Sequence, residues 1–249
     1  MTTLVVPYHL DERLLPPPVP GPAVAPDLPA GGTPARVLAL NRAIAAEVAA
    51  AVTAGGQPGA ATGDCVAALG VVAGLQAAGI DPAVIWLDAH GDYNTPATSP
   101  SGYLGGMPLA MLAGRDDPGI AGALGLRPVS PDRIVLAGAR DLDPGEAELL
   151  AADGVAQVPV AGLGSGPLPA GPLYLHVDAD VIDEGELPGL RYPAGGGPGT
   201  GTVAAAVRRV LATGQVAAWT LACTWRRGTR SPEEGAALAA RLGLGAGQR

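Results

Sequence analysis

The 249-residue sequence contains no lysine and no phenylalanine, and holds only three histidines, two cysteines and 3% aromatic residues. Each shortage excludes something. Without lysine there is no Schiff-base amine, no pyridoxal-phosphate lysine and no P-loop lysine. The 15 basic residues are therefore all arginine, and against 23 acidic residues they leave a net charge of −8. With no basic run, that balance argues against a phosphate-backbone binder. Cys65 and Cys223 are too few for a disulfide framework. No uninterrupted apolar stretch reaches membrane-spanning length. Met1 to Leu15 lacks a basic n-region and offers only the short apolar run Leu4 to Val6, unlike a secretory signal. The expected compartment is the cytoplasm, with neither nucleic acid nor membrane as partner. Joint loss of Lys and Phe in an Ala-, Gly-, Pro- and Arg-rich chain reads as genomic codon bias.

A hydrophobic fraction of 48% with 15% charged residues argues for a buried core. The 38 glycines and 26 prolines are spread through apolar segments and read as turns. Apolar runs at 3–6, 59–63, 83–88, 133–137, 155–159, 173–178 and 216–221 read as strands. Helical stretches at 35–53, 65–79, 107–114, 144–152, 201–212 and 232–242 separate them, the first with Thr33 as N-cap and Gly55–Gly56 as stop. Leu14 to Pro34 reads as a surface loop packed on the domain. Strands alternating with helices predict an α/β fold with a mainly parallel sheet covered on both faces. No linker or repeat divides residues 1–249, so one domain is expected.

Polar residues cluster where two of these strands run out. In AVIWLDAHGD (83–92), Asp88, His90 and Asp92 recur at every second residue. In YLHVDADVID (174–183), His176, Asp178 and Asp180 do the same. Extended backbone would put each trio on one face, at the carboxyl edge where open α/β sheets bind ligands. Carboxylates so gathered repel one another unless a cation neutralises them. Mixed carboxylate and imidazole donors suit Mn²⁺, Fe²⁺, Zn²⁺ or Ni²⁺, and four carboxylates with histidine suit a two-metal site. Other polar residues have plainer readings: His176 as a supporting or core histidine ahead of a direct ligand, His9 as a surface histidine unless an adjacent first strand brings it to the site, Asp64 as a supporting or capping group and Asp183 as a loop organiser ahead of a metal ligand. Asp141 and Asp143 read as a loop and N-cap for helix 144–152. Arg140 reads as a substrate or partner contact, or as the counter-charge of those acids.

The stretches DAHGDYNTPATSPSGYLGGMPLA and HVDADVIDEGELPGLRYPAGGG, with Gly63-Asp64-Cys65, resemble in order and spacing the metal motifs of the ureohydrolases: arginase, agmatinase and formiminoglutamase. The likeness covers roughly residues 60 to 225. It implies a three-layer α/β/α fold with an eight-stranded, mainly parallel sheet. It implies a metal-dependent hydrolase that cleaves a C–N bond of a guanidino or amidino amino-acid derivative. Two divalent metals, Mn²⁺ foremost, would hold a bridging hydroxide that attacks the target carbon. Asp88 and Asp178 would bridge the metals. Asp92 would complete one with Cys65, and would orient the hydroxide. His90 and Asp180 would complete the other. Asn94 and Ser101 match positions that contact the amino-acid end of the substrate. Family members often form trimers or hexamers.

Three departures stand out. Cys65 replaces a usual histidine and, as a softer ligand, opens the site to Ni²⁺, Zn²⁺ or Fe²⁺. Gly105 replaces the loop histidine that shuttles protons, leaving Tyr103 or water to serve. Cys223 in LACTW falls where the family has the glutamate that grips the guanidinium, so arginine itself is a poor fit. Cys65, His176 and the Gly-Tyr-Leu-Gly-Gly-Met run at 102–107 are similar to a biosynthetic branch that hydrolyses Nω-hydroxyarginine. Two other readings remain: a metal-binding or regulatory member that lost catalysis, and a thiol enzyme built on a low-pKa Cys65.

Overall fold

The computed structural model describes residues 2–15, 17–115, 119–226 and 228–245. The strands are β1 (Thr2–Val6), β2 (Tyr8–His9), β3 (Glu12–Arg13), β4 (Pro58–Thr62), β5 (Ala83–Leu87), β6 (Ile134–Ala137), β7 (Ala156–Val158), β8 (Leu173–Asp178) and β9 (Val216–Ala222). The helices are α1 (Thr33–Thr53), α2 (Ala68–Ala77), α3 (Pro108–Leu112), α4 (Ile120–Ala123), α5 (Pro144–Asp153), α6 (Thr200–Ala212) and α7 (Pro232–Leu242). One sheet of seven strands runs in the order β1-β4-β9-β8-β5-β6-β7. Every pairing in it is parallel. The family resemblance implies about eight strands; the described residues form seven. Strands β2 and β3 make a separate antiparallel hairpin just after β1.

Strand alternation builds two cores. On β5, Val84 and Trp86 enter one cluster, with α1, α2, α3 and α5, while Ala83, Ile85 and Leu87 enter the other, with α6 and α7. On β8, Tyr174 faces the first cluster and Leu173, Leu175 and Val177 face the second. Both faces of the central strands are therefore dry, which is why they read as continuous apolar runs. Fully burying each large aliphatic side chain contributes about 1.5–3 kcal/mol. Trp219 of β9 lies flat on β4, where a Cβ at Gly59 would fall 2.0 Å from the indole, so only glycine fits. Asn41 of α1 accepts a hydrogen bond from the Gly70 amide of α2 at 2.7 Å, locking the two helices together.

Local signals hold with small shifts. Helix α1 is capped by Gly32, with Thr33 already inside the helix, because Pro34 fits its first turn. The Pro-rich loop packs as expected: the Val24 amide donates to the Val5 carbonyl at 2.8 Å, and Val19 is buried. Among the described residues no helix is long and apolar enough to cross a membrane.

All seven parallel strands end on the same edge. The ends of β4, β9, β8 and β5 lie side by side at its centre, and the chain departs from β5 in both directions there. That crossover leaves a crevice at the carboxyl edge.

Candidate metal centre

Three segments deliver the central side chains to this crevice. After β4, Asp64 caps a single 3₁₀ turn (Cys65–Ala67), its Oδ1 accepting from the Val66 amide at 2.8 Å. This places the Cys65 thiol 2.8 Å from Asp178 Oδ2. Asp88 follows β5; its Oδ1 accepts from the His90 amide at 2.8 Å and its Oδ2 from Trp86 Nε1 at 3.0 Å. Asp178 closes β8 and accepts from the Asp180 amide through Oδ1 at 2.9 Å. Asp180 Oδ1 accepts from the Ala89 amide at 3.1 Å, tying the two motifs together. His90 Nδ1 lies 3.0 Å from Asp180 Oδ2 and 3.4 Å from Asp88 Oδ1.

The trios converge, though not by extended backbone alone. Strand β5 stops at Leu87, so His90 and Asp92 reach the site through a loop. Asp92 sits at φ 49°, a left-handed conformation uncommon outside glycine, while its carbonyl accepts the Leu109 and Ala110 amides. Beyond β8, Asp180 lies in a 3₁₀ turn (Ala179–Val181).

The electrostatics are those of an uncompensated cluster. Burial, with neighbouring carboxylates, pushes Asp92 and Asp178 well above the usual carboxylate range, and Asp180 up to about 7. His90 is raised to about 12, its carboxylate partners outweighing burial. Burial pushes the Cys65 thiol up, reinforced by Asp178, Asp92 and Asp88, the opposite direction from the low-pKa thiolate that a thiol enzyme needs. Asp92 Oδ2 and His176 Nε2 are buried with no hydrogen-bond partner. A divalent cation answers both conditions: it supplies positive charge to the carboxylates and a partner to the orphaned donor atoms. Two sets of donor atoms lie within 4.8 Å of one another: Cys65, Asp88, His176 and Asp178, and Asp88, His90 and Asp180. The donor set therefore fits a pair of adjacent cations sharing Asp88.

Above the centre opens a pocket of about 220 Å³. Asn94, Ser101 and Tyr103 line it as expected, with Gly105. Cys223 does not. Just beyond the end of β9, Cys223 turns into the core with Trp219 and Leu221, wholly buried, and Thr224 lines the pocket instead. The expected late position is thus out by one residue. Thr224 donates to the Gly63 carbonyl and carries no charge.

Other residues were underrated in the sequence. His9 is buried, not on the surface; its Nε2 lies 3.2 Å from the Tyr103 hydroxyl. A Cβ at Gly105 would fall 2.3 Å from the Tyr103 ring, so Tyr103 occupies the space that a side chain there would need. Asp143 and Glu146 do form the expected capping box on α5, yet they and Asp141 also line the pocket. Asn94 Nδ2 donates to Asp143 Oδ2 at 2.9 Å. Burial raises the Glu146 carboxyl to about 7. The signal was the spacing in DLDPGE, which also serves a cap. Eight lining residues are acidic (Asp64, Asp88, Asp92, Asp141, Asp143, Glu146, Asp178, Asp180) and none is arginine, so the pocket favours a cationic occupant.

Arg140 is neither a substrate contact nor the counter-ion of Asp141. Its guanidinium donates to the carbonyls of Gly138, Asp180, Val181, Ala194 and Gly195 at 2.9–3.2 Å. It thereby pins the backbone of the second motif to the loop beyond it. Asp183 organises the same loop, accepting from the Gly185 and Gly197 amides. Arg140→Ala is expected to cost about 3 kcal/mol, because five carbonyls, those of Asp180, Val181 and Ala194 in buried residues, lose a charged donor. Arg140→Lys is expected to restore little, lacking the planar fork. Urea unfolding of the three proteins measures both.

Residues 22–242 match the family model described as the Arginase family. The chain is 42% identical over 112 residues to an N(omega)-hydroxy-L-arginine amidinohydrolase of Streptomyces lavendulae, covering 43% of this chain and 39% of that protein. It is 36% identical over 175 residues to an arginase of Brevibacillus brevis, covering 65% and 59%. The matched stretch thus spans 39–59% of the length of these relatives. The native structure of the Bacillus caldovelox arginase superposes with a TM-score of 0.78 at 26% identity, covering 92% of this chain and 84% of that one.

Proposed function

This chain belongs to the arginase family, and from that premise we propose that it is a metal-dependent hydrolase cleaving a C–N bond of a guanidino or amidino amino-acid derivative. The observation that carries the reading is the buried convergence of Cys65, Asp88, His90, Asp178 and Asp180 beneath an acidic pocket. Cys65, Asp88, His90, Asp92, Asp178 and Asp180 would hold two divalent cations, Mn²⁺ foremost, with Ni²⁺, Zn²⁺ or Fe²⁺ as softer choices. When bound, such cations lower the pKa of a water and polarise the carbon under attack.

The protein groups do the rest. Asp92, its Oδ2 unpartnered, accepts a hydrogen bond from the attacking water. Asn94 and Ser101 hold the amino-acid end, and the acidic face of Asp141 and Asp143 suits its ammonium. Tyr103 carries the proton to the departing nitrogen. Its phenol stays protonated, raised by burial and by the Asp64 charge, and the hydroxyl is steadied by His9. Tyr103→Phe is expected to lower kcat about a hundredfold with metal content unchanged. Steady-state kinetics beside metal analysis separates the two.

The substrate favoured here is Nω-hydroxyarginine, the compound in the name of the Streptomyces relative. Thr224 supports this choice, because an uncharged wall pairs poorly with the fully cationic guanidinium of arginine. The test is product formation by metal-loaded protein offered arginine, Nω-hydroxyarginine, agmatine and formiminoglutamate. The hydroxylated substrate is expected to turn over fastest. Metal-replete protein that turns over none of them would favour the second reading, a metal-binding member that lost catalysis, which Gly105 motivates. Two buried free cysteines suit the reducing cytoplasm. Assembly into trimers or hexamers rests on the family resemblance.

A further inference from the structure

We propose that His176 is itself a metal ligand. With Cys65, Asp88 and Asp178 it forms a four-donor site for a borderline-soft cation such as Zn²⁺ or Co²⁺, beside the harder Asp88–His90–Asp180 site. The proposal rests on the reading that this centre binds metal, and it departs from the six ligands that the resemblance implies.

The geometry comes first. One donor atom from each of the four residues lies within 4.8 Å of the others, and all four residues are buried. Metal–ligand bonds near 2.0–2.3 Å bring donors into that range of one another. Asp92 is absent from this set, although it lines the same pocket.

The second observation is the state of the imidazole. His176 is 0% exposed, and its Nε2 has no partner. An orphaned ring nitrogen in a dry core is costly, and a leucine of similar volume would avoid that cost. The opposite nitrogen is provided for: Nδ1 lies 3.3 Å from the Tyr174 hydroxyl, which in turn is 2.6 Å from Thr220 Oγ1. A histidine that binds a metal through one nitrogen is usually steadied through the other by such an outer partner. Trp86 fixes the plane of the ring, stacked on it at 3.7 Å between centroids, and the same indole donates to Asp88 Oδ2. The imidazole is thus oriented from two sides, with its free nitrogen left for the cation.

The donor chemistry decides the class of ion. Thiolate and imidazole with two carboxylates in a buried, four-donor arrangement favour Zn²⁺ or Co²⁺ over Mn²⁺, whereas Asp88, His90 and Asp180 offer the oxygen-rich set that Mn²⁺ prefers.

Because the chain has only three histidines, the test is clean. In His90→Ala protein, only His9 and His176 remain, and His9 lies outside both donor sets. That protein, loaded with one equivalent of Co²⁺, is examined by X-ray absorption. The expected spectrum shows one sulfur and one imidazole on the metal. In the His90→Ala, His176→Gln double variant the imidazole is lost and Co²⁺ affinity falls at least tenfold. If His90→Ala does not fold, wild-type protein with both sites filled is compared with His176→Gln, and the imidazole count drops from two to one. Sulfur without imidazole in His90→Ala protein, or an unchanged count in His176→Gln, overturns the proposal and leaves the metal reading standing. No bound metal in any variant overturns both.

Discussion

Asp178→Asn protein is expected to lose both metal binding and turnover while becoming more stable than the wild type in the metal-free state. Asp178 Oδ1 accepts the Asp180 amide and Oδ2 meets the Cys65 thiol, so the residue belongs to one donor set and holds the backbone that carries Asp180 of the other. Asparagine keeps the acceptor for that amide, and the backbone of the second motif stays in place. What disappears is an acid whose ionised form is disfavoured by burial and by the neighbouring Asp180 and Asp88 charges, so the metal-free fold no longer has to hold a proton there. Metal affinity is expected to fall by two orders of magnitude or more, with turnover below detection. Metal-free Tm is expected to rise by several degrees, the signature of a functional site that trades stability for chemistry. Metal analysis, kinetics and a thermal melt in chelator read all three. Wild-type metal content and turnover in Asp178→Asn, or in Asp88→Ala, would sink the assignment; loss of metal with a lowered Tm would mean that Asp178 is structural.

The second large effect is a dependence of metal-free stability on pH. Raised carboxyls hold protons that the unfolded chain has already released. Between the ordinary carboxylate range and the folded pKa, the unfolded state binds fewer protons, so stability falls as pH rises. For Asp180 and Glu146 that fall runs up to about 7, and Asp92 and Asp178, raised by burial and by neighbouring carboxylates, act with the same sign. His90, raised to about 12, adds stability that is full below 6.5 and declines above it, so its sign is the same in this window. His176, lowered to about 3 by burial, acts the other way only below 6.5, where the unfolded imidazole takes up a proton. Each group still protonated contributes about 1.4 kcal/mol per pH unit. From about pH 6.5 to 7.5 the metal-free protein is therefore expected to lose about 2 kcal/mol through Asp180, Glu146 and His90. Metal-loaded protein is expected to gain stability over the same range, because deprotonated ligands bind the cation more tightly. Melting curves in chelator and in Mn²⁺ across that range test both slopes. A flat metal-free curve would mean that the cluster holds no extra protons.

Most of the fold was legible from short-range physics. Apolar runs bounded by Gly, Pro and polar residues located the seven strands of the main sheet to within about a residue, because burial on both faces leaves no other composition. Capping chemistry located α5, where Asp143 is the N-cap; the structure adds Glu146 to complete a capping box there and shows a second box, Ser231 with Glu234, on α7. The Asp88–His90–Asp92 and Asp178–Asp180 spacings marked the centre, since so many acids beside apolar strands have few neutral explanations. Less legible was anything that depended on parity or on distant partners. Cys223 and Thr224 are neighbours just beyond β9, and only packing against Trp219 and Leu221 decides which enters the pocket. DLDPGE serves as cap and pocket wall at once, and sequence shows only the cap.

What the sequence by itself determined is the alternation of strand and helix and the carboxyl-edge position of the acidic motifs, because each follows from local periodicity and composition. The tertiary structure alone decided that Arg140 clamps five carbonyls, that His9 reaches Tyr103 across 94 positions of chain, and that Tyr103 fills the space over Gly105. It alone put His176 beside Cys65, 111 positions away. Those contacts join segments brought together only when the parallel strands align their ends, and no local pattern records which side chains meet there.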